Sequence, residues 1–319
     1  MSRLPAFASH RDYLARLGDV DFWWPYVSDI LARHGLTVGG QELVAGHNPT
    51  FPTFLYGDLV VKLFGQVRAW RATYAGERAA GALVSTDPEI AVPRLLGAGR
   101  LSSDPADDAA DAPWPYLITS RMPGVASWRA DLTPEQRLAL AADVGRQVRR
   151  VHALPTAGIA THAQWATVNV TEAARRSSLP PHLVAQVEGY VAKLARLAPP
   201  DPVFTHGDIV ATHVYVQDGR FAGIIDWGDA MVADRHLEII QLYRDLFRCE
   251  LAELRVFLEA SDWPVGADFP RQALGMALHR QAIGLAQHTT IDVFMPIAAR
   301  FPLHEIATLD DLAHELFSL

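Results

Sequence analysis

The chain has 319 residues, 50% of them hydrophobic, enough for more than one core and too apolar for disorder to dominate. A formal net charge of -8 argues against nucleic acid as a partner, because displacing its counterions needs clustered Lys and Arg. The single cysteine, Cys249, excludes an intramolecular disulfide and a cysteine-based zinc cluster; with no apolar leader and no apolar run of spanning length, the expectation is a cytoplasmic protein without a membrane partner.

Residues 19 to 36, DVDFWWPYVSDILARHGL, open with acids and carry apolar residues at helical spacing. They predict a helix ending at Gly35, followed by the strand-like TVGGQELVAG. Phe51 to Tyr56 and Leu59 to Phe64 read as two strands turned by Gly57 and Asp58, a β-hairpin. WRATYAGERAAGALVS predicts a helix and AVPRLLGAGRL a strand, while SSDPADDAADAPWP reads as an acidic low-complexity loop. PYLITSRMPG is a strand closed by Pro123 and Gly124. In TPEQRLALAADVGRQVRRVHAL, Thr133 is an N-cap, Pro134 takes the first helical position and Glu135 sits in the first turn of a long amphipathic helix. Beyond it helices dominate, except for FTHGDIVATHVYVQDGRFAGIIDWGD, which reads as short strands around a QDGR turn.

Strands before residue 120 and helices after it predict an α+β, two-lobed chain joined near Ser120 to Gly124. Residues 1–120 form the expected N-terminal lobe, an antiparallel sheet with an N-terminal helix. Residues 121–319 form a mostly helical C-terminal lobe.

The stretch HGDIVATHVYV, residues 206 to 216, sets one aspartate between two histidines. By itself it leaves open a metal site, a His/Asp acid-base pair and a kinase catalytic loop. Asp208 and Asp226 end two apolar runs on either side of a short hairpin, which would bring both carboxylates together to share a divalent cation. Plain turn caps look the same. Protein kinases carry H-R-D-L-x-x-x-N and then D-F-G. Here His206-Gly207-Asp208 is followed five positions after the aspartate by His213, and beyond the hairpin by Asp226-Trp227-Gly228. That pattern also asks for a strand lysine and a helix glutamate, which LVVKLFG supplies as Lys62 and YAGERAAGAL as Glu77. Taken alone, each is an ordinary surface charge.

Together, the run from HGD through IIDWGDA, the helix ending VRRVHALP, the strand VVKLFG and VPRLLGAGRL resemble the aminoglycoside phosphotransferase family of small-molecule kinases. DFWWP, PWPYLITSRMPG and FLEASDWP look closest to its hygromycin B phosphotransferase branch. The resemblance implies a bilobal protein-kinase-like fold, Mg²⁺, and transfer of the γ-phosphate of ATP or GTP to a hydroxyl of a small cationic molecule. It implies Asp208 as catalytic base and Asp226 as metal acid, with His213 as a metal ligand where most relatives carry Asn. Imidazole is the poorer Mg²⁺ ligand of the two. Lys62 and Glu77 would form the ion pair that aims the phosphates, and His206 would brace the loop. His47 and Asn48 of AGHNPTF stand where a phosphate-covering loop belongs, though G-x-G-x-x-G is missing. The backbone of Ser120 to Met122 would bond the purine edge. Asp229, Asp234 and Glu238 are candidate substrate acids, since acids near the cleft would attract a polycation; solvated helix faces carry acids as well. Alternatives are a kinase of another alcohol (macrolide, choline-like or homoserine-like), a nucleotide-binding pseudokinase marked by His213, and a metallohydrolase built on His206, Asp208, His213 and Asp226.

Overall fold

The computed structural model describes residues 4–36, 39–47, 49–67, 69–101, 114–159, 161, 168–194, 202–286 and 291–319. Asn48 and the acidic segment 102–113 lie outside them. Contacts divide the chain into two units, Met1–Pro88 with Val92–Pro123 and Trp227–Asp229, and Glu89–Ala91 with Gly124–Asp226 and Ala230–Leu319.

In the first unit, α1 (His10–Arg16) and α2 (Val20–Arg33) start at Ser9 and Asp19, whose side chains accept from the Asp12 and Phe22 N–H groups. The predicted hairpin is β2 (Thr53–Tyr56) and β3 (Leu59–Leu63), with Tyr56 opposite Leu59 and Gly57 at φ +57°. With β1 (Leu43–Ala45), β4 (Leu95–Arg100) and β5 (Pro115–Ser120) they form an antiparallel sheet in the order β1-β2-β3-β5-β4. Strand alternation sorts its two faces. Val61, Leu63, Tyr116 and Ile118 join Trp23, Val27 and Ile30 of α2 in one core, whereas Leu117 packs with Phe51, Phe64 and Trp70. Trp70 opens α3 (Trp70–Val84). Lys62, between Val61 and Leu63, is thereby turned to the α3 face.

The second unit has two small sheets. One joins β6 (Val125–Ala126), β8 (Val214–Gln217) and β9 (Arg220–Ile224); the other pairs β7 (Pro202–Thr205) with β10 (Met231–Asp234). The QDGR turn is the β8–β9 connection, with φ +51° at Asp218 and +73° at Gly219, as a two-residue hairpin loop of this hand requires. The long predicted helix is α4 (Pro134–His152), where Gln136 completes a capping box with Thr133. Then follow α5 (Val170–Arg175), α6 (Pro181–Val184), α7 (Val187–Leu194), α8 (Ile239–Gln241), α9 (Leu251–Ala260), α10 (Phe269–Ala286), α11 (Met295–Ala298) and α12 (Leu309–Phe317). Helix α8 runs straight into a π-helical turn, Leu242–Leu246. Val144, Val148, Ile240, Tyr243, Phe257, Phe269 and Phe317 are all within the buried core these helices share. Among the described residues, no helix is long and apolar enough to cross a membrane.

Gly124 enters β6 at φ +81°, and a Cβ there would overlap the Val216 carbonyl oxygen and come 3.0 Å from the Gln217 Cα. Backbone atoms in a paired strand cannot step aside. Gly124→Ala is therefore expected to cost at least about 2 kcal/mol in denaturant unfolding, combining left-handed strain with the clash. An unfolding midpoint equal to that of the parent chain would contradict it.

Candidate active site

Lys62 Nζ lies 2.7 Å from Glu77 Oε2, and both side chains are only 15% exposed. The pair forms because β3 turns Lys62 toward α3, and Glu77 stands on that helix. An ammonium this covered keeps its charge best beside a carboxylate. Lys62 Nζ is also 5.4 Å from the centre of the Phe64 ring. Sequence order alone thus predicted two residues that do meet.

In the second unit the catalytic-looking loop follows β7. His206 is fully buried; its Nε2 donates to the Ile225 carbonyl at 3.0 Å, and its Nδ1 accepts the Asp208 N–H at 3.2 Å. Both ring nitrogens are taken. Burial first, and the neighbouring His213 second, hold this imidazole below its ordinary pKa. A buried neutral ring so bonded braces the loop, and it has no lone pair left for a metal. The metallohydrolase alternative loses that ligand, and among the described residues no three His, Cys, Asp or Glu form a metal-holding cluster.

His213 connects the two aspartates. Its Nδ1 donates to the Asp208 carbonyl at 2.9 Å and stands 3.5 Å from Asp208 Oδ2, while its Nε2 is 3.6 Å from Asp226 Oδ2. The β8–β9 hairpin causes this approach, since Ile225 N–H donates to the His213 carbonyl at 2.9 Å and leaves Asp226 at the next position. Asp226 takes φ +64°, a left-handed conformation that a non-glycine residue holds at a cost of roughly 1–3 kcal/mol. Its side chain is 42% exposed.

The Asp208 carboxylate is itself held. Gln241 Nε2 donates to Oδ1, and Arg280 Nη2 reaches the same oxygen at 3.3 Å. Neither residue was singled out from the sequence. Arg280 lies 72 positions downstream on α10, in an Ala- and Leu-rich segment that reads as core.

Of the three acids expected to face substrate, Glu238 and Asp234 are engaged within the protein. Glu238 is 1% exposed, its Oε1 accepting the His206 and Gly207 N–H groups at 2.8 and 3.3 Å and its Oε2 pairing with His152 Nε2 at 2.7 Å. Burial pushes this carboxyl upward, but the His152 bond and charge, with His206, hold it net below its ordinary range. It fastens the catalytic loop and cannot meet a substrate. Asp234 caps its own turn, accepting the His236 N–H at 2.9 Å and pairing with His236 Nδ1 at 2.8 Å. Asp229 is exposed in the Trp227–Asp229 turn, which belongs with α3 in the first unit. The Ser120 expectation also changes. Its N–H donates to the Arg94 carbonyl at 2.9 Å and that of Arg121 to the Asp58 carbonyl at 2.7 Å, so neither amide is available to a purine edge. Met122 is buried at 7% exposure, and His47 is exposed between β1 and β2.

Removing the loop's anchor should be costly. Glu238→Ala leaves two backbone N–H groups and His152 without their buried acceptor, so a loss of about 3–5 kcal/mol is expected in equilibrium unfolding. A loss below about 1 kcal/mol would show that the loop is held by other contacts.

Residues 50–269 match the model of the phosphotransferase enzyme family. The chain is 32% identical over 124 residues to an aminoglycoside 3'-phosphotransferase of Escherichia coli, covering 34% of this chain and 44% of the relative. To that of Streptomyces fradiae it is 31% identical over 173 residues, covering 49% and 59%. The chain thus spans about half the length of the curated relatives it matches. Among solved structures, the GDP complex of aminoglycoside 2'-phosphotransferase-IIIa superposes with TM-score 0.64 at 16% identity, over 92% of this chain and 99% of that one. A macrolide 2'-phosphotransferase from Brachybacterium faecium gives 0.59 at 18% identity over 93% and 99%. A Streptomyces rimosus aminoglycoside phosphotransferase bound to ADP and streptomycin gives 0.55 at 22% identity over 82% and 98%. These likenesses establish an α+β kinase-like fold.

Proposed function

The chain belongs to the phosphotransferase enzyme family, and from that premise we propose that it transfers the γ-phosphoryl group of a nucleoside triphosphate, ATP or GTP, to a hydroxyl of a small-molecule antibiotic. The observation that carries this reading is the linkage of Asp208 to Asp226 through one imidazole, with His213 contacts of 3.5 and 3.6 Å. Asp208 is the proposed base, accepting the acceptor's hydroxyl proton. Lys62, held by Glu77, is the proposed partner of the nucleotide phosphates. The loop carrying His47 and Asn48 is the proposed phosphate cover, and Met122 the proposed contact to the base.

Mg²⁺ suits the residues at Asp226. His213 Nε2 stands 3.6 Å from a carboxylate oxygen of Asp226. Asp226 and His213 would hold the cation directly or through water, a small protein contribution of the kind Mg²⁺ sites use when phosphates and waters complete the shell. When bound, the cation neutralises phosphate oxygens during transfer.

Aminoglycosides are the proposed acceptors in view of the relatives matched, with hygromycin B the first to test on the motifs it shares with that branch. A second reading rests on one observation: two arginines, Arg280 and Arg244, reach the Asp208 region within its own unit. A neutral alcohol, macrolide-like or otherwise, fits those cations better. Expression in a sensitive host, followed by challenge with hygromycin B, kanamycin and a macrolide, separates the readings. Protection accompanied by a phosphorylated drug supports the class that is protected; no protection and no product with any of them would sink the antibiotic reading.

A further inference from the structure

The Asp208 carboxylate is asymmetric. Oδ1 receives both Gln241 and Arg280, while among the described residues Oδ2 has only the longer 3.5 Å approach of His213 Nδ1, whose proton already goes to the Asp208 carbonyl. We propose that Arg280, together with Gln241, is a positioning residue for phosphoryl transfer: the two donors lock Oδ1 so that Oδ2 is the oxygen presented to the acceptor hydroxyl. The proposal rests on the reading of Asp208 as the base. In the step it serves, the acceptor O–H bond breaks as the new O–P bond forms. The proton goes to Asp208 Oδ2, and the electron pair of the broken P–O bond leaves with the nucleoside diphosphate.

Burial and charge support this assignment. Gln241 is 2% exposed and the Arg280 side chain 13% exposed, so both are fixed by packing. A guanidinium so covered is stabilised by a carboxylate partner, and Asp208 supplies it. Gln241 is the last residue of α8, where the chain widens into the π-helical turn and the Phe247 N–H reaches back to the Leu242 carbonyl at 2.8 Å. Such turns tend to occur at functional positions. This one also brings Asp245, whose Oδ1 accepts the Ala211 N–H at 2.6 Å, and Arg244, which feels the charges of Asp245, Arg280 and Asp208. One widened turn and one arginine of α10 therefore fix the loop at Asp208 and again at Ala211. Transfer of a phosphoryl group depends chiefly on positioning. Fixing one carboxylate oxygen restricts the other to a single direction.

The test uses the full chain as wild type, Arg280→Ala, Arg280→Lys, Gln241→Ala, Asp208→Asn and the Asp208→Asn/Arg280→Ala double variant. Steady-state transfer to an accepted alcohol, nucleotide hydrolysis by water, binding of a non-hydrolysable ATP analogue and thermal unfolding are measured for each. Arg280→Ala is expected to lower kcat at least about tenfold, with acceptor KM and analogue affinity changed less than about threefold. Arg280→Lys should recover part of the loss, and the double variant should be no slower than Asp208→Asn alone, since Arg280 acts through that carboxylate. Unchanged kcat in Arg280→Ala beside an inactive Asp208→Asn overturns the positioning role and leaves the base in place. A loss that follows unfolding, or that adds in full to that of Asp208→Asn, overturns it as well. If Asp208→Asn keeps wild-type turnover, or if the wild type neither transfers nor hydrolyses, the reading of Asp208 fails and takes the positioning role with it.

Discussion

Replacing Asp208 by asparagine is expected to reduce phosphotransfer by at least ~100-fold while nucleotide still binds, the range for loss of a group that positions and deprotonates a hydroxyl. Asparagine is the sharper substitution, because its carbonyl oxygen can still accept from Gln241 and Arg280. Alanine would leave Gln241 and the partly buried Arg280 without that acceptor and confuse stability with chemistry. Turnover by coupled nucleotide consumption and affinity by calorimetry separate the two effects. Wild-type turnover in Asp208→Asn would end its assignment as the base.

Lys62→Ala is expected to lower kcat/KM for the nucleotide by about 100-fold, on the scale seen when one donor to a developing charge is removed. Lys62 Nζ is 2.7 Å from Glu77 Oε2, and both side chains are 15% exposed. A lysine held this way has lost its rotamer freedom before a phosphate arrives. Glu77→Gln keeps the size and one acceptor oxygen, so its effect should be clearly smaller than that of Lys62→Ala. Equal losses would mean that the pair acts only as a structural tie, and no loss in Lys62→Ala would remove it from the phosphate site.

Local chemistry made much of this fold readable. Gly57 and Asp58 announced the first hairpin, Asp218 and Gly219 the second, and Thr133 with Pro134 the start of α4. Alternation along β3 carried the lysine to the helix that holds Glu77. The strand ends flanking the second hairpin likewise pointed to an approach of Asp208 and Asp226, though not to the imidazole that links them. What escaped depends on contacts distant in sequence. Glu238 looks like any acid on a polar helix start, yet it accepts backbone N–H groups 31 and 32 positions earlier, and nothing in its neighbours records this. Spent amides leave no composition either, so the sequence does not record that the Ser120 and Arg121 N–H groups are already bonded. Asp229 follows Asp226 by three positions, yet the Trp227–Asp229 turn packs with α3 in the first unit. LEIIQLYRDLF carries no glycine or proline to mark its π-helical turn, so Gln241 and Arg244 passed as ordinary helix residues.

Asp208 is proposed to accept the proton of a small alcohol as a nucleotide loses its γ-phosphoryl group. Mass spectrometry of reactions of wild type and Asp208→Asn with ATP or GTP, Mg²⁺ and a panel of aminoglycosides, macrolides and amino alcohols addresses it directly. The account predicts at least one acceptor gaining a single phosphate for each nucleotide consumed by the wild type, and at least ~100-fold less of that product from Asp208→Asn. Nucleotide consumption that no acceptor stimulates, or equal product from both proteins, would contradict it.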